Sequence, residues 1–225
     1  MTKASRSAAL VEQSPFFQAA GSAAMARLLE HSISQIVPRG AVLFEQGDEP
    51  DFVHMILEGS VGLQASVSPS NKAMVEFFGP GEILLVPAVV LQRPYLASAV
   101  ALSEVRVLLI PASAFRQGVA ESLELSRATN ELLARHWRLM VGQVVDLKLR
   151  GAEERVAGFL ARRVSEEVGA GMVNLPESRS AIASRLGMTP ETFSRVVSTL
   201  EKQGRIRRLE DGVAVADRAA LTRSS

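Results

Sequence analysis

Two different periods of apolar residues divide the chain. Within 40–110, apolar and polar residues alternate, and one clear run carries its apolar residues at Val61, Leu63, Ala65 and Val67. Because successive residues of a strand face opposite sides of a sheet, this alternation predicts half-buried β-strands. Another strand is predicted at 105–109. Helical spacing in 10–35 predicts short helices that pack against this β-structure.

The stretch 120–150 has a helical period instead. It contains no proline and one glycine, and its apolar residues recur at spacings of four, three, four and three. These residues are Leu133, Trp137, Met140, Val144 and Leu147. The spacing is that of a coiled-coil heptad, so we expect one long helix whose seam packs on a second copy of the chain. The alternative is a helix buried inside one monomer, and the charged flanks of the seam favour the dimer.

Residues 180–203 predict two short helices separated by a glycine. The first should end at Gly187, because glycine accepts a left-handed backbone without strain. Thr189 is suited to cap the second helix, with Pro190 in its first turn, where a missing N–H costs nothing. An apolar stripe for packing is formed by Phe193, Val197 and Leu200. A second helical segment is predicted upstream, after a break at 150–152.

The other face of the second helix is polar and suited to DNA. A guanidinium fork matches guanine O6 and N7, and a carboxylate accepts from cytosine N4. An ordinary solvated surface helix is the alternative, but a helix, a glycine turn and a capped second helix occur together here. The predicted DNA contacts are Arg179, Thr189, Glu191, Thr192, Ser194, Arg195, Ser198, Lys202, Arg205 and Arg207.

A wing is predicted directly after this helix. Residues 204–215 contain two short strand patterns joined at Asp211-Gly212, with Arg208 among the arginines near the base. Such arginines are placed to meet the phosphates of flanking DNA. The charge distribution agrees, since 176–225 holds 9 basic and 6 acidic residues, whereas 1–120 holds 8 basic and 10 acidic residues. The predicted DNA-binding end is therefore the basic end of the chain.

These motifs resemble the CRP/FNR superfamily of bacterial transcription regulators. Residues 182–206 fit its pattern Ile-Ala-x-x-Leu-Gly-x-Thr-x-Glu-Thr-x-Ser-Arg, followed by Leu and Gly-x-Ile, and residues 40–61 resemble the first strands of its cyclic-nucleotide-binding-type β-roll. The resemblance implies an α+β fold in three parts. These are a β-roll (double-stranded β-helix or jelly roll) sensor domain with N-terminal helices at 1–120, a dimerisation helix at 121–150 and a winged helix-turn-helix domain at 151–225.

The recognition helix is similar to that of the FNR-like branch. The similarity implies a palindromic TTGAT-type site, with Arg195 on the guanine, Glu191 on the opposed cytosine and Ser194 on a thymine. A homodimer places two such helices about one duplex turn apart, as a palindrome requires. Kinship also implies RNA polymerase as a partner. Members of this branch without cluster cysteines often respond to low oxygen or nitrogen oxides.

The resemblance implies an effector site in the roll. In the cyclic-AMP-binding branch this site has a Gly-Glu pair, present here as Gly81-Glu82, and an arginine that holds the cyclic phosphate. Tyr95 occupies the arginine position, and the nearest cation, Arg93, is two residues away. A buried phosphate needs a guanidinium or a helix terminus, so cyclic AMP is disfavoured. Glu82, Arg93 and Tyr95 remain candidate effector contacts.

Composition limits the cofactors. The chain has no cysteine, which excludes disulfides, thiolate zinc sites and cysteine-ligated iron–sulfur clusters. The apolar run 83–91 is suited to core packing, which we favour, or to a planar ligand such as haem. The histidines His31, His54 and His136 lie in no local ligand motif, so we expect surface or interface histidines and no metal site.

Other classes of function find less support. A second hypothesis is a small-molecule or haem-binding sensor whose winged domain mainly contacts protein. No P-loop, Gly-x-Ser-x-Gly, His-Glu-x-x-His or paired-carboxylate motif occurs, so we do not expect an enzyme. Residues 1–9 lack the apolar core of a secretion signal, and no apolar run approaches bilayer-spanning length. We therefore expect a cytoplasmic protein without a membrane partner.

Overall fold

The computed structural model describes residues 10–68, 70–164, 171–175, 177–210 and 212–222. Contacts divide the chain into two compact units, 1–139 and 140–225. Within the described ranges, no helix combines the length and the apolar character that a membrane crossing needs. Residues 1–9, which the sequence analysis considered for a secretion signal, lie outside these ranges, and so does Asp211 of the predicted wing turn.

The first unit includes two short helices that precede a β-roll. The helices are α1 (Pro15–Ala20) and α2 (Ser22–Glu30). The strands are β1 (Ile33–Val37), β2 (Val42–Phe44), β3 (Phe52–Glu58), β4 (Val61–Ser68), β5 (Asn71–Phe78), β6 (Ile83–Leu84), β7 (Ser98–Ala101) and β8 (Val105–Pro111). A short helix, α3 (Val86–Leu91), follows β6.

The strands form two four-stranded antiparallel sheets. One sheet has the order β1-β8-β3-β6 and the other β2-β7-β4-β5, which is a jelly roll. The central strand β3 is buried on both faces: Val53 and Met55 pack with helix residues such as Phe17, whereas Ile56 faces a second cluster that includes Phe44. Burial on both faces explains why Met55, Ile56 and Leu57 are apolar at consecutive positions instead of alternating with polar residues. The predicted α+β fold with an N-terminal roll is confirmed.

The apolar run 83–91 packs mainly into this core, as we favoured. Ile83, Leu84, Val86 and Val89 are buried, while Leu91 is exposed. Strand β6 passes into α3 through Leu85, whose φ of 39° lies in the left-handed region that non-glycine residues rarely occupy.

The predicted continuous helix over 120–150 has an interruption. Helix α4 (Ala112–Glu121) ends at Ser122, whose φ and ψ of −116° and 119° are extended, and α5 (Leu123–Leu149) begins after it. The Ser122 hydroxyl accepts a hydrogen bond from the Leu125 amide at 3.2 Å and so caps the new helix. The predicted break at 150–152 is confirmed. The boundary between the two units falls within α5, after Leu139, and the predicted three-part division stays a prediction.

The second unit contains the end of α5 and a three-stranded sheet among helices. Its further elements are α6 (Ala152–Arg163), β9 (Gly171–Asn174), α7 (Arg179–Arg185), α8 (Pro190–Lys202), β10 (Ile206–Leu209), β11 (Gly212–Val215) and α9 (Arg218–Thr222). The predicted wing is the antiparallel pair β10–β11. Strand β9 pairs with β11 and was not predicted. Strands β10 and β11 are equally short, but the Asp211-Gly212 turn between them marked them as a hairpin.

Candidate nucleic-acid interface

The turn between α7 and α8 requires its glycine because of the backbone conformation. Gly187 has a φ of 63°, the left-handed conformation that the sequence predicted. A Cβ at this position would also lie 2.6 Å from Cδ2 of Leu147, so the end of that leucine side chain would have to shift. Helix α7 itself is capped by Ser178, whose hydroxyl accepts from the Ala181 amide at 3.2 Å. The turn is thus fixed mainly by backbone geometry.

Helix α8 begins as predicted. The Thr189 hydroxyl accepts from the Thr192 amide at 3.2 Å, and Pro190 occupies the first turn. The buried stripe differs by one residue from the prediction, since Val196 is buried and Val197 is only partly so. The spacing of three and then four from Phe193 follows the helical period equally well. The opposite face of α8 remains polar.

The predicted base contacts lie on this polar face. Glu191 and Arg195 are exposed and Ser194 is half-buried. The pKa of Glu191 is lowered by its own backbone amide and by the Thr189 hydroxyl, which keeps the carboxylate ionised and able to accept hydrogen bonds. Thr192 Oγ1 accepts from Arg195 Nη2 at 3.5 Å, a contact that orients the guanidinium.

Ser198 is engaged with the wing. Its hydroxyl donates to the Ser194 carbonyl at 2.9 Å and accepts from the Arg208 guanidinium. Arg208 also forms an ion pair with Glu201 at 3.2 Å. These contacts fasten the first wing strand to the recognition helix, and Ser198 is therefore less available to DNA than the sequence suggested.

The arginines at the wing have different environments. Arg205 donates to Glu153 at 2.9 Å and to the Leu221 carbonyl, and its side chain is only 16% exposed. It joins β10 to α6 and α9, whereas we expected it to face phosphate. Arg207, by contrast, is exposed, and so are Arg179 and Lys202. These three cations are therefore accessible at the surface, whereas Arg205 is mostly buried.

Three ion pairs in the second unit were missed by the sequence analysis. Arg163 pairs with both oxygens of the buried Glu177, at 2.6 and 2.8 Å, and lies over the Phe159 ring. Asp146 near the end of α5 pairs with Arg150 at 2.8 Å and with Arg162 at 3.1 Å. Of these pairs, only Asp146–Arg150 could have been predicted from the sequence, because its two residues are four positions apart.

The predicted seam of α5 is largely exposed. Trp137 is 70% exposed and Val144 is 51% exposed, while Met140 is half-buried. Leu133 instead packs against the core of the roll, and Leu147 lies beside Gly187 while remaining substantially exposed. These exposures contradict the alternative of a helix buried completely inside one monomer.

The three candidate effector residues have separate environments. Tyr95 is buried in the core of the roll, stacked on Phe44 at 3.9 Å between ring centroids, and its hydroxyl donates to the Phe52 carbonyl at 3.0 Å. Burial raises the pKa of this phenol, so it stays protonated. Glu82 accepts from the Gly79 amide at 2.6 Å, and Arg93 is exposed. Tyr95 thus belongs to the core, where we expected an effector-facing residue.

The histidines also differ from expectation in one case. His54 is buried beside Phe44, at 4.9 Å between centroids, and not at the surface; burial lowers its pKa to about 4. His136 is half-buried and meets Phe78 edge-on at 6.1 Å, and His31 is exposed. Within the described residues, no three His, Asp or Glu side chains form a group that could hold a metal ion.

A jelly roll, a long helix and a capped winged helix-turn-helix together define a class of protein, the DNA-binding regulators that carry a sensor domain. Residues 34–122 match the cyclic nucleotide-binding domain family, and residues 154–224 match the Crp-like helix-turn-helix domain family. The chain belongs to the CRP/FNR superfamily and is a transcription regulator, not an enzyme.

Individual relatives agree with this placement. The nitrogen fixation regulation protein FixK of Bradyrhizobium diazoefficiens is 31% identical over 186 residues, which are 81% of this chain and 77% of FixK. The CRP-like cAMP-activated global transcriptional regulator of Mycobacterium tuberculosis is 25% identical over 218 residues, 95% of this chain and 97% of that protein. The structure of FixK2 from Bradyrhizobium japonicum has a TM-score of 0.76 over 84% of this chain and 95% of FixK2; at 23% identity, this likeness concerns the fold.

Proposed function

We propose that this regulator is a homodimer that binds a palindromic TTGAT-type site in double-stranded DNA, with its activity set by a signal at the β-roll. The observation that carries the proposal is the exposed polar face of α8, a helix capped by Thr189 and oriented by the Gly187 turn. A capped helix with an ionised carboxylate and a guanidinium on one face has the chemistry of base readout in the major groove.

In the proposed complex, three residues contact bases. Arg195 donates to guanine O6 and N7, Glu191 accepts from the N4 amino group of the opposed cytosine, and Ser194 contacts a thymine. The exposure of Glu191 supports its part, because its carboxylate oxygens lie at the surface of the helix, where they can accept hydrogen bonds from a base.

The remaining predicted DNA residues fall into two groups in this proposal. Exposed groups contact the phosphate backbone, where cations and hydroxyls position a protein without reading sequence. Engaged groups hold the reading surface in place: Thr192 orients Arg195, Ser198 holds Arg208, and Arg205 fastens the wing. The proposed phosphate contacts are Arg179, Thr189, Lys202 and Arg207.

Dimerisation is proposed through α5. Trp137, Met140, Val144 and Leu147 keep heptad spacing, and the exposure of most of them supports burial against a second copy. Leu133 is assigned mainly to the roll of its own subunit. By kinship we also propose RNA polymerase as a partner and the cytoplasm as the place of action.

A signal other than cyclic AMP is proposed. The Mycobacterium tuberculosis relative is cAMP-activated, but here the position expected to hold the cyclic phosphate carries Tyr95, which is buried and hydrogen-bonded to Phe52. Replacing a phosphate-binding guanidinium by a buried phenol removes the charge that a buried phosphate requires.

The proposal is tested by fluorescence anisotropy with a labelled TTGAT palindrome and a duplex of the same composition with scrambled half-sites. We expect the palindrome to bind more tightly, and both affinities to fall steeply with salt as counterions are released. Equal affinity for the two duplexes would reject sequence-specific readout. Weak binding that is insensitive to salt would instead favour a sensor whose winged domain contacts protein.

A further inference from the structure

Strand β1 forms one edge of its sheet, and its outer side is uncovered. It pairs with β8 over five consecutive positions without a register shift, and no strand of the described residues pairs with its other side. Four of its five residues are exposed, with Ile33 at 60% and Ile36 at 52%. At these exposures, no helix or loop of the described chain covers the edge. Its outward backbone N–H and C=O groups are therefore accessible to another strand.

The other three edges of the roll have features that discourage pairing between molecules. Strand β2 has three residues and β6 has two, which is too short for a stable ladder. Strand β5 carries the exposed Lys72, and its register with β4 is irregular at two positions. Sheets commonly protect their edges by short strands, lysines, prolines and bulges, and β1 has none of these features. An unprotected edge of this kind is suited to accept an added strand.

The sequence of β1 is suited to a second copy of itself. When two β1 strands pair antiparallel about Gln35, Ile33 of each copy lies opposite Val37 of the other, and Ser34 lies opposite Ile36. Two apolar pairs result, and β1 contains no charge that could repel its copy. Such an arrangement has twofold symmetry, as most interfaces between identical chains do.

The small size of the edge also points to a second copy. Five residues of a strand bury far less than the roughly 1,200–2,000 Å² of a stable interface, so a freely diffusing partner would not be retained. So small a contact is effective only between molecules that another interaction already holds close together. Two dimers of this chain on neighbouring sites of one duplex meet this condition.

We propose that β1 is an interface between copies of this chain, in which the β1 strands of two subunits pair antiparallel about Gln35 and join their sheets. The pairing is weak in solution and lets dimers on neighbouring DNA sites bind cooperatively. This cooperative role rests on the proposed function. The pairing itself does not, because it needs neither DNA nor the seam of α5.

The test is sedimentation velocity on the full chain without DNA, at protein concentrations from about 10 μM to 1 mM, where weak association is measurable. We expect two-subunit particles to form four-subunit particles as the concentration rises. Gln35→Lys and Gln35→Glu should each abolish the four-subunit species, because like charges then face each other at the centre of the pairing. An equimolar mixture of the two variants should regain it, since lysine then faces glutamate. A mixture that stays at two subunits would overturn the pairing about Gln35.

Val67→Lys is the matched control. Val67 is 86% exposed and lies on β4, which is not an edge strand, so this variant should associate like the parent. If Val67→Lys also lost the four-subunit species, general surface apolarity would be responsible and the β1 interface would be rejected. Circular dichroism checks that each variant folds, and either Gln35 variant keeps the test decisive if the other does not fold.

Trp137→Glu separates this interface from the proposed dimer, because it changes an exposed residue of the α5 seam. At high concentration this variant should form two-subunit particles through β1, and its combination with Gln35→Lys should leave single subunits. A parent that remains a two-subunit particle at about 1 mM would reject the second copy as the occupant of β1 and keep the α5 dimer. Single subunits that associate only through β1 would reject the α5 dimer and keep the β1 interface.

Discussion

The polar face of α8 and the interior of the roll differ in how their polar side chains are positioned. On α8, Thr189, Thr192 and Arg195 are joined through contacts three residues apart in sequence, and the outer groups are exposed. In the roll, Tyr95 is buried and bonded to Phe52, 43 residues away. DNA-contacting chemistry in this protein therefore depends on local helix geometry, whereas the chemistry of the sensor depends on the packing of distant strands.

Removing Tyr95 should produce the largest effect. Tyr95→Ala is expected to lower the free energy of unfolding by about 3–5 kcal/mol, because it deletes a buried, stacked ring. Tyr95→Phe, the matched control, loses one hydrogen bond and should cost about 1 kcal/mol. Urea unfolding followed by circular dichroism measures both. If the urea midpoint of Tyr95→Ala equalled that of the parent, Tyr95 would not be part of the core and would again be a candidate effector contact.

Acid should destabilise the roll through His54. Burial lowers the pKa of His54 to about 4 from an ordinary value of 6.5, so the unfolded chain binds the extra proton between these pH values. Stability is complete above pH 6.5 and falls as the pH decreases, by up to about 1.4 kcal/mol per pH unit. Unfolding measured from pH 7 to pH 4.5 should show this slope, and His54→Leu should show a shallower one. If the stability of His54→Leu fell with decreasing pH as steeply as that of the parent, His54 would not be buried as a neutral imidazole.

Arg195 should matter for DNA and not for folding. Arg195→Ala is expected to weaken binding to the palindrome by about 1–3 kcal/mol and to relax the preference at the guanine. Its melting temperature should not change, because the side chain is exposed. Arg39→Ala, which changes an exposed arginine of the roll, is the control and should alter neither property. Anisotropy at constant salt decides, and parental affinity in Arg195→Ala would remove this residue from base readout.

The helix cap should give the smallest effect. Thr189→Ala removes the acceptor for the Thr192 amide and should destabilise the second unit by about 1 kcal/mol. Thr189→Ser keeps the hydroxyl and should remain close to the parent. Thermal unfolding of the three proteins provides the comparison. A loss as large in Thr189→Ser as in Thr189→Ala would show that the methyl group, and not the cap, is responsible.

This difference between local and distant contacts explains which features could be predicted from the sequence. Gly187, Thr189 and Pro190 occupy the positions that backbone geometry demands, so the helix-turn-helix was predicted nearly to the residue. The start of α5 at Ser122 was missed even though a serine cap is a local signal. Other features had no local signal, since Arg205 and Glu153 are 52 residues apart in sequence.

In the roll, the sequence predicted the alternating strands correctly, but it did not predict the environments of the candidate effector residues. Glu82 was chosen from a Gly-Glu pair, and the structure gives it a turn-capping contact with Gly79. Tyr95 was chosen by its position in the chain, but its role follows from stacking on Phe44, which only the folded sheets bring near.

The most direct test of the central claim is to measure how many subunits bind one duplex and how binding depends on half-site spacing. Two duplexes are compared by sedimentation and anisotropy: one with TTGAT half-sites about one helical turn apart, and one with about five base pairs inserted between them. We predict two subunits on the first duplex and a large loss of affinity for the second. Subunits that occupy the two half-sites independently, with equal affinity at both spacings, would contradict a dimer with two coupled recognition helices.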